Sequence, residues 1–95
     1  MKIHWTDSAI AHLVAAYDHI AKDSPRYAQG MIDRLTSRSK QIAAYPESGR
    51  KVPEYESASI REVIEHPYRI IYRVEKNRID VLAVVHTARL LPPSV

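Results

Sequence analysis

The chain has 95 residues, 14 Lys+Arg against 11 Asp+Glu for a net charge of +3, two glycines and no cysteine. A chain of this length builds one two-layer core and has no room for a nucleotide-binding domain beside a catalytic one. The missing cysteines exclude disulfide frameworks, thiolate zinc sites and cysteine nucleophiles; with no apolar leader at the start and no apolar run near bilayer length, a cytoplasmic protein without membrane attachment is expected.

Lys2 to Trp5 alternates polar and apolar residues and predicts a short strand. Thr6, Asp7 and Ser8 offer capping oxygens ahead of an apolar series at helical spacing: Ile10, Leu13, Val14, Tyr17, Ile20 and Ala21. Asp23-Ser24-Pro25 ends that helix and starts another, with Ser24 placed to accept from first-turn amides and Pro25 where a missing donor costs nothing. The second helix is expected to bury Ala28, Met31, Ile32, Leu35 and Ile42, to turn Asp33, Arg34, Arg38 and Lys40 to water, and to end near Ala44. Tyr45 to Pro53, with two prolines and a glycine, reads as the main loop. Three β-type runs follow, Ser59 to Glu65, Tyr68 to Glu75 and Arg78 to His86, forming an antiparallel meander. The expected fold class is α+β in the order β-α-α-β-β-β, a single domain over 1–95 with a helical hairpin on one face of a small, mainly antiparallel sheet.

In the second β-run, Tyr68, Ile70, Tyr72 and Val74 form an apolar face, and Arg69, Ile71, Arg73 and Glu75 a mixed one. Arg69 and Arg73 are thus expected to share an open face with no carboxylate between them, a positive strip suited to an acidic partner. The last run is apolar at both parities, so Leu82 and Val84 need a cover from neighbours, tail or partner. Leu90 and Leu91 form an apolar tail with no evident place.

A minimal set for metal-independent RNA cleavage is present: Arg61, Arg69 and Arg73 to clamp a phosphate, His86 to shuttle a proton, and Glu54 or Glu47 as base. Equally, the arginines have Glu62, Glu65 and Glu75 within reach of solvated cross-strand pairs, and a histidine ending a strand is well explained by a bond to nearby backbone. His4, His12, His19 and His66 are scattered without metal-ligand spacing, so no metal and no cofactor are expected. Only five residues are lysine and the charge is evenly divided along the chain, giving little electrostatic support for docking on ribosomal RNA; direct DNA binding by the chain alone is not expected.

Three stretches, matched in order and spacing, carry a family likeness over nearly the whole chain: Asp23-Ser24-Pro25-Arg26-Tyr27-Ala28; Tyr45-Pro46-Glu47-Ser48-Gly49-Arg50 with Val52-Pro53-Glu54; and the strand series Ile60-Arg61-Glu62-Val63, Tyr68 to Val74 and Val81 to His86. Together they resemble the RelE/ParE-type toxins of bacterial toxin–antitoxin pairs. Pro-x-x-Gly-Arg, Ile-Arg-Glu, Tyr-Arg-Ile-Ile-Tyr and His86 followed by Arg89 are most similar to the ParE branch. The resemblance implies a growth-arresting toxin that poisons DNA gyrase, of the kind that also stabilises plasmids. It also implies a ParD-like antitoxin whose C-terminal segment wraps the toxin in a hetero-oligomeric complex. The alternative is a RelE-type ribosome-dependent mRNA endonuclease, in which Arg69, Arg73, His86 and Glu54 would carry the chemistry. An acidic, amphipathic antitoxin is expected to engage Arg61, Arg69, Arg73, Leu82, Val84, Arg89, Leu90 and Leu91. Gyrase contacts are expected at Gly49, Arg50, Lys51 and Arg89.

Overall fold

The computed structural model describes residues 1–95. In chain order the elements are β1 (Lys2–Trp5), α1 (Asp7–Ala21), α2 (Pro25–Ala44), β2 (Arg50–Lys51), β3 (Ile60–Glu65), β4 (Tyr68–Val74) and β5 (Arg78–His86). They form one five-stranded sheet in the order β1-β5-β4-β3-β2, with β1 parallel to β5 and every other neighbour antiparallel. The expected α+β architecture is the observed one, with one addition. The main loop contains a short edge strand, because Arg50 and Lys51 pair with Glu62 and Arg61 on β3.

Both helix starts follow from their caps. Thr6 Oγ1 accepts the Ala9 amide at 3.2 Å and donates to the Val81 carbonyl at 2.8 Å, so one side chain caps α1 and ties it to β5. Ser24 accepts the Tyr27 amide at 3.1 Å, and Pro25 opens α2. The buried stripe of α2 is Ala28, Met31, Leu35, Ser39 and Ile42; Ile32 is only half-buried, and Ser39 is tolerated because its hydroxyl donates to the Thr36 carbonyl. On α1 the expected stripe is displaced. Ala9 and Ala16 are buried and Leu13 and Ile20 pack on the core, whereas Ile10 and Val14 are exposed. Alanines let the helix approach the sheet closely, which leaves the larger residues a third of a turn away outside the contact.

A bulge in β5 explains its unbroken apolar run. Ile71 pairs with Ala83 but Tyr72 pairs with Val81, so Leu82 has no partner and the side-chain alternation reverses there. Ile79, Val81 and Val84 join the core under the helices, while Ala83 and Val85 belong to the opposite face. Val84, expected at a partner surface, is therefore a core residue.

The helix-free face is covered by the chain itself. Val52, Ile60, Ile71 and Ala83 form a second apolar cluster, against which Tyr55, Val85 and Leu91 pack. The Tyr55 hydroxyl donates to the Pro92 carbonyl at 2.7 Å and holds the tail across the sheet. Leu91, also expected at a partner surface, is thus committed to its own sheet, while Leu90 beside it is 96% exposed. No helix is long and apolar enough to cross a membrane.

Candidate functional site

The helix-free face carries a cluster of four charges built across β2, β3, β4 and the loop after β2. Arg69 and Glu62 are diagonal neighbours, since Glu62 lies opposite Ile71 and Arg69 opposite Ile64. Arg69 Nε donates to one oxygen of Glu62, and Arg50 Nε donates to the other at 2.7 Å. The two terminal nitrogens of Arg69 reach Glu54 at 2.8 and 3.0 Å, a bidentate pair. The Glu62 side chain is fully enclosed and that of Arg69 is 10% exposed, whereas Glu54 and Arg50 are 45% and 64% exposed. A buried carboxylate is tolerable only when its oxygens are satisfied by charged donors, and both oxygens of Glu62 are. The guanidinium of Arg69 holds the Glu54 carboxyl below its ordinary value of 4.5, and the Glu54 carboxylate raises Arg69 in return.

This cluster corrects the expectation of an open positive strip. Two arginines and two glutamates sum to zero charge, and Arg69 is saturated rather than presented. The carboxylates come from a neighbouring strand and a loop, which the spacing along β4 does not reveal. Arg73 lies farther along the same face, opposite Ile60 and Asp80, and takes part in none of the chain's four ion pairs. Asp80 is engaged by Arg78 at 3.0 Å, although its Oδ1 has no well-aligned hydrogen-bond donor. Arg61 is on the other face, opposite Tyr72, and donates to the Gly49 carbonyl at 2.8 Å. The three arginines therefore do not form one surface.

The proposed nuclease set is divided in the same way. Glu54 and Arg69 are in contact, but His86 lies opposite Tyr68, whose ring faces the main core. The two rings meet edge-on at 5.6 Å, and His86 Nδ1 accepts the Ala88 amide at 3.0 Å. His86 and Arg69 thus stand on opposite faces of the sheet.

Gly49 is buried and offers no contact surface; its amide donates to the Tyr72 hydroxyl at 3.0 Å, and that hydroxyl donates to the Pro46 carbonyl at 2.8 Å. Burial raises the Tyr72 phenol above its ordinary value. Arg50 and Lys51 beside it are exposed.

Beyond the end of β1, the second half of β5 has α1 as its neighbour instead of a strand, and a groove of about 540 Å³ runs between them. Leu82, Val85 and His86 line it from β5, Arg89 and Leu90 from the tail, and His12 from α1. His12 Nδ1 accepts the Val84 amide at 3.1 Å, so a helix side chain satisfies a backbone donor just past the bulge. No three His, Cys, Asp or Glu side chains come together in a metal-binding arrangement. The sequence offers Glu62 only as a solvated cross-strand partner of the arginines, not as an enclosed one, and gives no role to Tyr72 or His12. Each depends on strand register, and the one local hint is a glycine held in a loop of a chain with only two.

Two helices on one face of a five-stranded sheet, a charge cluster on the other and a groove at the tail define a small α+β domain, and comparison with known proteins gives its family. Residues 3–91 match the family of the ParE toxin of type II toxin–antitoxin systems, parDE. The protein is 38% identical over 90 residues to Toxin RelE2 of Caulobacter vibrioides, covering 94% of this chain and 98% of the relative. Its fold superposes on a chain of the chromosomal ParDE toxin–antitoxin system from P. aeruginosa with a TM-score of 0.76 and 26% identity, covering 90% of this chain and 95% of that one. It also superposes on YoeB from Staphylococcus aureus, solved as a dimer, with a TM-score of 0.61 and 16% identity over 90% of this chain and 95% of that one, a likeness of fold. The chain belongs to the ParE toxin family of type II toxin–antitoxin systems, and membership in that family implies an antitoxin partner.

Proposed function

We propose that the protein is a ParE-type poison of DNA gyrase that blocks replication in the cytoplasm, has no bond-breaking chemistry of its own, and is silenced by an acidic ParD-like antitoxin. The observation that carries this reading is the state of Arg69. Three of its donors are committed to Glu62 and Glu54, and His86 stands on the opposite face of the sheet. A nuclease needs a cation and a proton shuttle converging on one phosphate, and this arrangement does not supply them. Exposed Arg50 and Lys51 on the sheet edge and Arg89 at the tail are the candidate gyrase contacts. For the antitoxin, the groove beside β5 with Leu82, Arg89 and the fully exposed Leu90 suits an amphipathic segment that orders as it binds.

A second reading, mRNA cleavage on the ribosome, draws on the name of the RelE2 relative and on the direct contact between a carboxylate and an arginine at Glu54 and Arg69. One experiment separates the two. Purified toxin is added to a gyrase supercoiling reaction on relaxed plasmid, and blocked supercoiling with accumulated cleaved DNA, relieved by antitoxin, is expected. No effect from folded toxin that arrests growth, together with transcript cleavage in a translating extract, overturns the gyrase reading.

A further inference from the structure

The bidentate bond between Arg69 and Glu54 joins a nearly enclosed guanidinium to a half-exposed carboxylate on a turn. Arg69 cannot leave: it is a strand residue, and its Nε is fixed by the fully enclosed Glu62. Glu54 can, because it follows Pro53 in the loop between β2 and β3 and a rotation about its own side-chain bonds carries it into solvent. Its departure would leave the paired terminal nitrogens of Arg69 facing outward. Close by, Arg50 uses only its Nε and is largely exposed. With Glu54 gone, two guanidinium groups face a single remaining carboxylate.

We infer that the outer donors of Arg69, with Arg50 beside them, are a binding site for a carboxylate side chain of an acidic partner protein, and that Glu54 occupies this site in the free protein as a replaceable stand-in. Three observations favour a carboxylate. The group already seated is one, and it makes the planar two-bond contact that an incoming Asp or Glu would reproduce. Exchanging one carboxylate for another leaves the charge balance around enclosed Glu62 unchanged, whereas a phosphate chain would bring further negative charge to a cluster that is neutral overall. The chain's net charge of +3 complements an acidic partner protein. The inference rests on the antitoxin reading only for the natural source of the carboxylate; the site itself is tested without antitoxin or gyrase.

The probe is a dodecapeptide of alternating Glu and Leu, titrated into the full chain and its Glu54→Gln variant, with affinity measured by calorimetry and the Arg69 Nε–H resonance followed by NMR. A matched peptide with Gln in place of Glu and a single-stranded oligonucleotide serve as controls. Removing the competing carboxylate is expected to tighten acidic-peptide binding about tenfold, the gain when a site closed nine-tenths of the time is opened. The Arg69 resonance should move in both proteins, and the Gln peptide should bind weakly to each. Equal affinity of the acidic peptide for both proteins, equal binding of the two peptides, an unmoved Arg69 resonance, or preferential capture of the oligonucleotide would each overturn it. A gyrase assay that failed would leave this result standing, and failed exchange would leave toxin neutralisation by antitoxin untouched.

Discussion

The phenol oxygen of Tyr72 fills the space where a side chain at Gly49 would begin. A β-carbon at that position would collide with the hydroxyl and with the Glu62 carbonyl, both part of the packed structure. Through this approach the loop between α2 and β2 is fastened to the middle of the sheet by two hydrogen bonds on one oxygen. Gly49→Ala is expected to destabilise the fold by about 1–3 kcal/mol through overpacking. Tyr72→Phe, which strands the buried Gly49 amide, is expected to cost about 1–3 kcal/mol. Urea unfolding followed by circular dichroism measures both; wild-type midpoints would show that the loop is not held this way.

Glu62 and Arg50 form the same ion pair from opposite environments, so their truncations should differ. Glu62→Ala removes an enclosed carboxylate and leaves Arg69 with only its outer partner, and should cost about 3–5 kcal/mol. Arg50→Ala removes a largely exposed side chain but leaves one oxygen of enclosed Glu62 without its donor, and should cost about 1–3 kcal/mol. Comparable losses for the two variants in parallel urea titrations would mean that the burial difference does not govern the cluster.

Glu54 gives the cluster an acid dependence with a definite sign. Arg69 lowers its folded-state value below the ordinary 4.5. A carboxyl with a depressed folded value contributes stability that is complete above the unfolded value and is lost as pH falls through the folded one. Wild type should therefore lose stability relative to Glu54→Gln as pH drops below 4.5, with a small amplitude because the carboxylate is half-exposed. Parallel thermal melts between neutral pH and pH 3 read the difference, and a constant gap between the two proteins would show that the bond does not favour the ionised form.

Much of the fold is legible in the sequence because it is written in local chemistry. Thr6 and Ser24 cap the helices they precede, Pro25 opens the second, and the alternation along Tyr68 to Val74 marks the two faces of β4. The losses are tertiary. Spacing placed Arg69 on the helix-free face correctly, but only the register of β3 against β4 and the path of the loop reveal the two glutamates that close around it. The apolar run of β5 calls for a cover from neighbours, tail or partner without saying which residue turns where; a one-residue bulge at Leu82 turns Val84 inward, away from the expected partner surface, and the tail supplies Leu91 as cover. A bulge leaves no periodic mark when the residues on both sides of it are apolar.

Where β1 ends, the free edge of β5 has a backbone demand that a single helix residue meets. Past Leu82 the Val84 amide has His12 Nδ1 as its acceptor, in the stretch of β5 that β1 does not reach. A ring nitrogen can accept only when unprotonated, so the neutral imidazole with its proton on Nε2 makes this bond. His12→Ala removes the acceptor and opens the wall of the groove without touching the main core. A global loss of about 1 kcal/mol is expected, as for a partly buried amide left to water. Hydrogen exchange should localise the effect, with the Val84 amide losing protection more than the core amides of Ile70 or Ile79. If Val84 instead exchanges in step with those core amides in both proteins, the helix side chain is not what holds this edge of the sheet.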